Sequence, residues 1–238
     1  QAMITGFCTG ADFPFDCLDV LCSALLALPA LESVSFEQRD GQAPEEGQSL
    51  ESMVKLLQSP VLREVAFENV DFTKTLCQIV VAKILKERSE ITDLHFLGCS
   101  FPEGDSVLVA RALKQNTTLT SVILSGGFTK DFYRAFAMVL LVNVTLTELE
   151  LEIPRRRSRT ALQPVFLALG MNKALKKLKI YASTRRVLSH YILRYGMSLK
   201  RTQHSRCYTY VPSVLKHFPS PYCLHFYLFF VSARPSNL

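Results

Sequence analysis

Apolar residues recur along this chain in one short pattern, L-x-x-L-x-L, in which polar residues fill most of the positions between them. Six copies of the pattern begin at Leu31, Leu62, Ile91, Leu119, Leu146 and Leu175. Successive copies are 31, 29, 28, 27 and 29 residues apart. A repeat of this length is typical of a solenoid, in which each unit buries its apolar face only by stacking on its neighbours.

The copy that starts at Ile91 shows what one repeat contains. Apolar and polar residues partly alternate over residues 94–97, which predicts a strand. Residues 98–105 include two glycines and a proline, which predict a turn. Apolar residues at three-residue steps over 107–113 then predict a helix that ends at Asn116. One repeat is therefore a strand, a turn and a short helix.

The other repeats follow the same order. Helical spacing of apolar residues predicts further helices at 76–84, 132–140, 162–169 and 187–195. Pro164 is compatible with its helix only if it lies in the first turn. An earlier helix is predicted at 13–28, so the chain is expected to begin inside the array and to be a fragment. The predicted organisation is a partial repeat at 1–30, about six repeats over 31–200, and a non-repeat tail at 201–238 that is basic and aromatic.

The repeat from 91 to 119 also resembles a known family. The matching positions are Leu94, Phe96, Cys99, Phe101, Gly104, Ala110, Leu113, Asn116 and Leu119. This pattern is similar to the ribonuclease-inhibitor type of leucine-rich repeat, the class that includes the C-terminal repeat arrays of nucleotide-binding immune receptors. The resemblance covers about residues 31–200. It implies an α/β horseshoe with parallel strands on the concave side and helices on the convex side.

One position departs from that family pattern. The place of Cys99 is taken by Val70, Gly127 and Pro154 in other repeats. The side-chain ladder that usually connects this position between repeats is therefore not expected, and we predict a less regular horseshoe.

Charge divides the chain into two parts. Residues 1–152 hold 11 Lys and Arg against 21 Asp and Glu, whereas residues 153–238 hold 16 Lys and Arg and no acidic residue. The basic part favours nucleic acid, anionic lipid or an acidic protein as its partner. Alternatively, the final stretch is a truncated or misread end, because the repeat does not resume after residue 203.

The seven cysteines are odd in number and show no disulfide framework, so buried free thiols in a reducing, cytoplasmic compartment are expected. Two N-x-T sequons begin at Asn116 and Asn143. Both fall where the repeat itself favours Asn, so a structural role is expected ahead of glycosylation. No apolar run reaches the roughly 18 residues of a membrane span.

Nothing in the sequence assembles a catalytic centre. The five histidines lack metal-ligand spacing, and there is neither a G-x-S-x-G motif nor a Gly-rich phosphate loop. Glu148, Glu150 and Glu152 alternate along one strand and face the same way. We therefore expect a protein that is not an enzyme and that has no cofactor, no metal and no small-molecule substrate.

The outward positions of the strands are the expected binding surface. The candidate partner-binding residues are Arg63, Glu68, His95, Leu97, Ile123, Glu150, Lys179 and Tyr181. A second interpretation is internal pairing, because equal register places Glu148 beside Lys177 and Glu150 beside Lys179. Both interpretations stay open on the sequence alone.

A run of arginines lies in the loop after the strand at 146–151. Arg155, Arg156, Arg157 and Arg159 suit phosphate or carboxylate groups, although a solvated charge run explains them as well. The leading hypothesis is a scaffold that binds another protein through the concave sheet. The alternatives are a basic adaptor for nucleic acid or anionic membrane, with weak binding, and the sensor part of a larger receptor.

Overall fold

The computed structural model describes residues 4–9, 17–38, 50–86, 89–153, 159–182, 199–201, 207–210 and 225–229. Strands and helices alternate through most of this length. The strands are β1 (Gly6–Cys8), β2 (Ser33–Glu37), β3 (Glu64–Glu68), β4 (Asp93–Cys99), β5 (Ser121–Gly126), β6 (Glu148–Ile153), β7 (Lys177–Ala182), β8 (Leu199–Arg201), β9 (Cys207–Tyr210) and β10 (His225–Phe229). The helices are α1 (Leu18–Leu25), α2 (Glu51–Leu57), α3 (Lys74–Val80), α4 (Asp105–Gln115), α5 (Lys130–Val142) and α6 (Arg159–Met171).

Strands β1 to β7 lie side by side in the order of the chain, and each neighbouring pair is parallel. The register follows the repeat, since Val65 lies opposite Leu94, and Leu149 opposite Leu178. The chain is therefore an α/β protein with a sequentially ordered parallel sheet. This order is compatible with a solenoid, in which every unit adds one strand to the edge of the sheet.

The tail contributes three short strands, although the sequence does not predict a sustained strand there. β10 pairs in parallel with β7, and β9 pairs antiparallel with both β10 and β8. The residues of β10 are His, Phe, Tyr, Leu and Phe. Aromatic residues fit a pleated surface well, which explains how this segment forms a strand without the repeat pattern.

The core lies between the sheet and the helices. The strand positions that match the repeat pattern are buried, as are the apolar stripes of the helices that pack on them. Phe36, Phe67 and Phe96 stack along the strands with ring centroids 5.6 and 5.9 Å apart. Phe101 and Phe128 continue the aromatic contacts at 5.1 Å. Offset-stacked rings at these distances add to the free energy that burial alone provides.

Asparagines connect the repeats at the ends of the helices. The Nδ2 group of Asn143 donates to the carbonyl oxygens of Leu113 and Asn116, both at 2.9 Å. Its Oδ1 atom accepts from the backbone of Leu146 at 2.8 Å. Asn116 and Asn172 likewise donate to carbonyl oxygens of the preceding helical segment, and their Oδ1 atoms accept from the backbone of Leu119 and Leu175. A side-chain ladder is therefore present, but at a different position of the repeat from that of Cys99.

The same contacts explain the two sequons. Asn116 and Asn143 are only 5% and 9% exposed, and their amide groups already bond to backbone atoms. Burial of the amide nitrogen confirms the structural role that was expected for these asparagines.

Three details of the helices differ from the sequence prediction. The helix predicted to run through residue 84 ends at Val80 and continues as a π-helical segment, Val81–Lys86. Helix α2, between β2 and β3, has no predicted bounds, although each repeat is expected to contain a helix. Pro164 lies inside α6 and not in its first turn, because α6 begins earlier than predicted, at Arg159. A proline there removes one backbone hydrogen bond from the helix.

The predicted helix at 187–195 lies outside the described residues. Among the helices that are described, none is long and apolar enough to cross a membrane.

Candidate functional site

Alternate residues of β2 to β7 point away from the core and form a surface that we call the strand face. Its half-exposed members are Ser33, Ser35, Glu37, Glu64, Glu68, Asp93, His95, Leu97, Ser121, Ile123, Ser125, Glu148, Glu150, Lys177 and Lys179. Ala66 also points this way but is buried. Parallel sheets are usually covered on both faces. Here the described helices cover one face only, and the strand face keeps substantial contact with solvent.

Hydrogen bonds connect neighbouring strands on the first half of the strand face. The Ser35 hydroxyl donates to Glu68 Oε1 at 2.7 Å. His95 Nδ1 lies 3.4 Å from Glu64 Oε1, which makes an ion pair when the imidazole is protonated. Each contact joins strands about 4.8 Å apart and helps to set their side chains.

Ion pairs connect β6 and β7. Lys177 Nζ lies 2.5 Å from Glu148 Oε2, and Lys179 Nζ lies 2.9 Å from Glu150 Oε2. These two pairs confirm the internal pairing that equal register predicts. Each pair is partly exposed and stabilises the fold by only about 0–1 kcal/mol. The positive charge of the β7 lysines is therefore largely offset by their neighbours.

Between these two groups lies a nearly neutral region. Ser121 and Ile123 of β5 face outward here, opposite Glu148 and Glu150 of β6. These residues line a shallow depression of about 130 Å³. Its size is smaller than the roughly 300–1,000 Å³ of a site for a small-molecule ligand.

The predicted partner-binding residues are not equally placed. Glu68, His95, Leu97, Ile123, Glu150 and Lys179 lie on the strand face. Arg63 is exposed just before β3, where its guanidinium bonds to the carbonyl oxygen and the carboxylate of Glu90, both at 3.1 Å. Arg63 is thus held at the edge of the surface. Tyr181 lies in β7, but its side chain is outside the described residues.

The side chains of the predicted anion-binding run lie outside the described part of the structure. Arg155, Arg156 and Arg157 lie outside the described residues, and only the backbone of Arg159 is described, at the start of α6. Their proposed role stays a prediction from sequence.

Two features of the strand face escape the sequence analysis. Ser35 bonds to Glu68, and Ser125 donates to Glu152. Serine has no periodic signal of its own, and its partner lies 33 or 27 residues away along the chain. Only the strand register, which equal repeat positions provide, could have brought these residues together in advance.

The described residues do not assemble reactive groups. No three His, Cys, Asp or Glu side chains within them are placed to hold a metal ion. Burial raises the pKa of the Cys99 thiol to about 12. Burial and the nearby Asp19 and Asp105 carboxylates likewise raise the pKa of Cys22 and Cys77 to about 12. Thiols with such pKa values are protonated at neutral pH and make poor nucleophiles.

No family model matches this chain, and no curated protein is detectably similar to it in sequence.

Proposed function

We propose that this chain is a leucine-rich-repeat scaffold of horseshoe shape, that it is not an enzyme, and that it binds another protein through the strand face. The face of the parallel sheet that the described helices leave open carries this proposal. A parallel sheet with one open face presents a broad row of polar side chains at fixed spacing, which favours recognition of an extended or folded protein surface. The repeat spacing and the asparagine contacts between repeats support the family.

The charges of the strand face indicate which kind of partner fits. The described part of this face on β2 to β4 carries four carboxylates, those of Glu37, Glu64, Glu68 and Asp93, and no Lys or Arg. On β6 and β7 the charges pair with each other. We therefore propose a partner that places a basic segment over β2 to β4 and an apolar side chain at Ile123. Complementary charge of this kind mainly speeds association and selects the partner.

Site-specific crosslinking tests the proposal. A photoreactive phenylalanine analogue is introduced at His95 or Ile123 on the strand face, and at Gln115 or Arg134 on the exposed surface of α4 or α5 as matched controls. One partner should crosslink from both strand-face positions and from neither control. Glu64→Gln with Glu68→Gln should weaken that crosslink. Crosslinks from the helical positions alone would contradict the proposal.

The basic adaptor for nucleic acid or anionic membrane stays a second candidate. Its support is the arginine run at 155–159 and the absence of acidic residues after Glu152. The pairing of Lys177 and Lys179 with glutamates weakens the contribution of β7 to this function. Replacing Arg155, Arg156, Arg157 and Arg159 by Ser should reduce any nucleic-acid binding and its salt dependence. The role as the sensor part of a larger receptor is compatible with either surface.

We also propose a cytoplasmic, reducing compartment. The five cysteines whose side chains are described are all free thiols, which supports this proposal.

A further inference from the structure

A second surface lies on the helical side of the molecule. It consists of exposed apolar side chains on α5, on α6 and in the turn between α5 and β6, and we call it the helical patch. Its members are Met138, Leu141, Val142, Val144, Leu167 and Met171. Val144 is 80% exposed and Met171 is 69% exposed. Isolated apolar residues at a surface are ordinary, but a contiguous group marks a surface that contacts something else.

The patch faces outward and not toward the next repeat. Helix α5 lies between α4 and α6, yet Met138 and Val142 remain exposed. Asn143 and Asn172 follow α5 and α6 at equivalent positions, so Leu167 and Met171 correspond to Met138 and Val142. They therefore point in the same outward direction. A further helix packed on the side of α6 away from α5 would leave them exposed.

Cations border the helical patch. Arg111 and Lys114 are exposed at its α4 side, and Lys173 is exposed just after α6. The described segments 111–116, 138–145 and 167–174 contain no Asp or Glu. Lys114 also compensates the partial negative charge at the end of its helix, but Arg111 lies a turn earlier, beyond the reach of that effect.

We propose that the helical patch binds the surface of a membrane that contains anionic lipids. Apolar side chains insert into the headgroup region, and the neighbouring cations bind the lipid phosphates and carboxylates. The proposal concerns a different surface from the strand face and does not depend on it. Together, the two surfaces would hold a protein partner near a membrane.

Two other occupants fit the patch less well. A second copy of the chain would bring Arg111, Lys114 and Lys173 toward the same cations of its partner, and like charges across an interface oppose association. An amphipathic helix lays its apolar face into a hydrophobic groove. Val144 and Met171 instead stand out from the surface, which suits a soft lipid interface.

The chain contains no tryptophan, so a single introduced tryptophan reports its own position. The test uses the full chain with Val144→Trp, and separately with Met171→Trp. Vesicles of phosphatidylcholine alone, or with phosphatidylserine, carry brominated acyl chains that quench a nearby indole. We expect a blue shift and quenching with the anionic vesicles and little change with phosphatidylcholine alone. This readout is local, so it separates the patch from any binding by the arginine run at 155–159.

Val20→Trp provides the matched control, because Val20 is 73% exposed on α1 and lies outside the patch. Its emission should not change. In the Val144→Trp background, Arg111→Gln, Lys114→Gln and Lys173→Gln together should lower vesicle affinity by at least about tenfold. Met138→Ser with Leu141→Ser should likewise reduce quenching, while thermal melts show an unchanged fold.

Three results would overturn the proposal. One is vesicle binding without quenching at either tryptophan, which would assign the binding to another part of the chain. Another is a concentration-dependent blue shift without vesicles, which would assign the patch to a second copy. The third is equal quenching in Val20→Trp, which would show general adsorption.

Discussion

The two faces of the same strands have opposite properties. On the core side, Leu94 and Phe96 are fully buried and pack against neighbouring repeats, whereas His95, between them, keeps 16% of its side chain exposed and lies 3.4 Å from Glu64 Oε1. Burial of a large apolar side chain contributes roughly 1.5–3 kcal/mol, and an exposed ion pair about 0–1 kcal/mol. Most of the stability of these strands therefore comes from the face that packs against the core. The other face is free to vary in chemistry and therefore suits recognition.

The largest expected effect follows from the aromatic core. Phe96 contacts the rings of Phe67, Phe72 and Phe101 with centroids 5.5–5.9 Å apart. Phe96→Ala removes these contacts and leaves a cavity, so the free energy of unfolding should fall by about 3–5 kcal/mol. His95→Ala, one residue away on the strand face, should cost less than about 1 kcal/mol. Urea denaturation of both variants measures the difference, and similar losses would contradict it.

A smaller effect is expected at the asparagines. Asn143→Ala leaves the carbonyl of Leu113 and the amide of Leu146 without their side-chain partner, and leaves the carbonyl of Asn116 with only the 3.4 Å bond from the Thr145 hydroxyl. Buried polar groups without a partner are costly, so the loss should be roughly 1–3 kcal/mol. Thr147→Ala is the control, because it removes a single exposed hydrogen bond, from the Thr147 hydroxyl to the carbonyl oxygen of Thr120. A neutral Asn143→Ala variant would show that the ladder does not hold the repeats together.

Cysteines in the core and cysteines at the surface should differ in their reactivity toward alkylating reagents. Cys22, Cys77 and Cys99 are buried with pKa values raised from 9.0 to about 12, whereas Cys8 and Cys17 are exposed. Alkylation at neutral pH followed by peptide mapping should label Cys8 and Cys17 much faster. Rapid labelling of Cys99 in the folded chain would contradict the assigned core.

The same pKa values predict a change of stability in alkali. Above about pH 9 the thiols ionise in the unfolded chain but stay protonated in the folded chain up to about pH 12. Ionisation lowers the free energy of the unfolded state relative to the folded state, so the free energy of unfolding should decrease as the pH rises through this range. Substituting Ala for Cys22, Cys77 and Cys99 should reduce the part of this decrease that the thiols cause. Melts at pH 8 and pH 10 of both chains test it.

The smallest effect is expected for the strand-face pairs. A double-mutant cycle on Glu150→Ala and Lys179→Ala should give a coupling energy of about 0–1 kcal/mol that falls as salt is added. Coupling well above that range would mean that the strand face also contributes strongly to stability. The difference in stabilisation between the core face and the strand face would then not hold for β6 and β7.

Part of this fold could be predicted from the sequence. The repeat placed Leu94, Leu149 and the other buried strand positions in register, and register alone predicted the Glu150–Lys179 pair. These features depend only on spacing. The spacing of apolar residues does not distinguish a π-helical segment after Val80 from an α-helix, and it does not mark the start of α6 at Arg159, before Pro164.

The candidate surfaces were predictable to different degrees. The alternation of residues along each strand predicts the strand face. Its hydrogen bonds from Ser35 and Ser125 become evident only from the atomic positions. The helical patch was missed because Met138 and Leu167 look like ordinary members of apolar helices. Their exposure becomes evident only once α4, α5 and α6 are packed side by side.

Strand β5 gives the most direct test of the two-face account, because its residues on both faces are apolar. Val122 and Leu124 are fully buried, while Ile123 between them is half-exposed. Val122→Ala, Ile123→Ala and Leu124→Ala are compared by urea denaturation under identical conditions. We predict large losses at Val122 and Leu124, with about 2–5 kcal/mol for Leu124→Ala, and a loss below about 1 kcal/mol at Ile123. Three similar losses, or the largest loss at Ile123, would contradict the account.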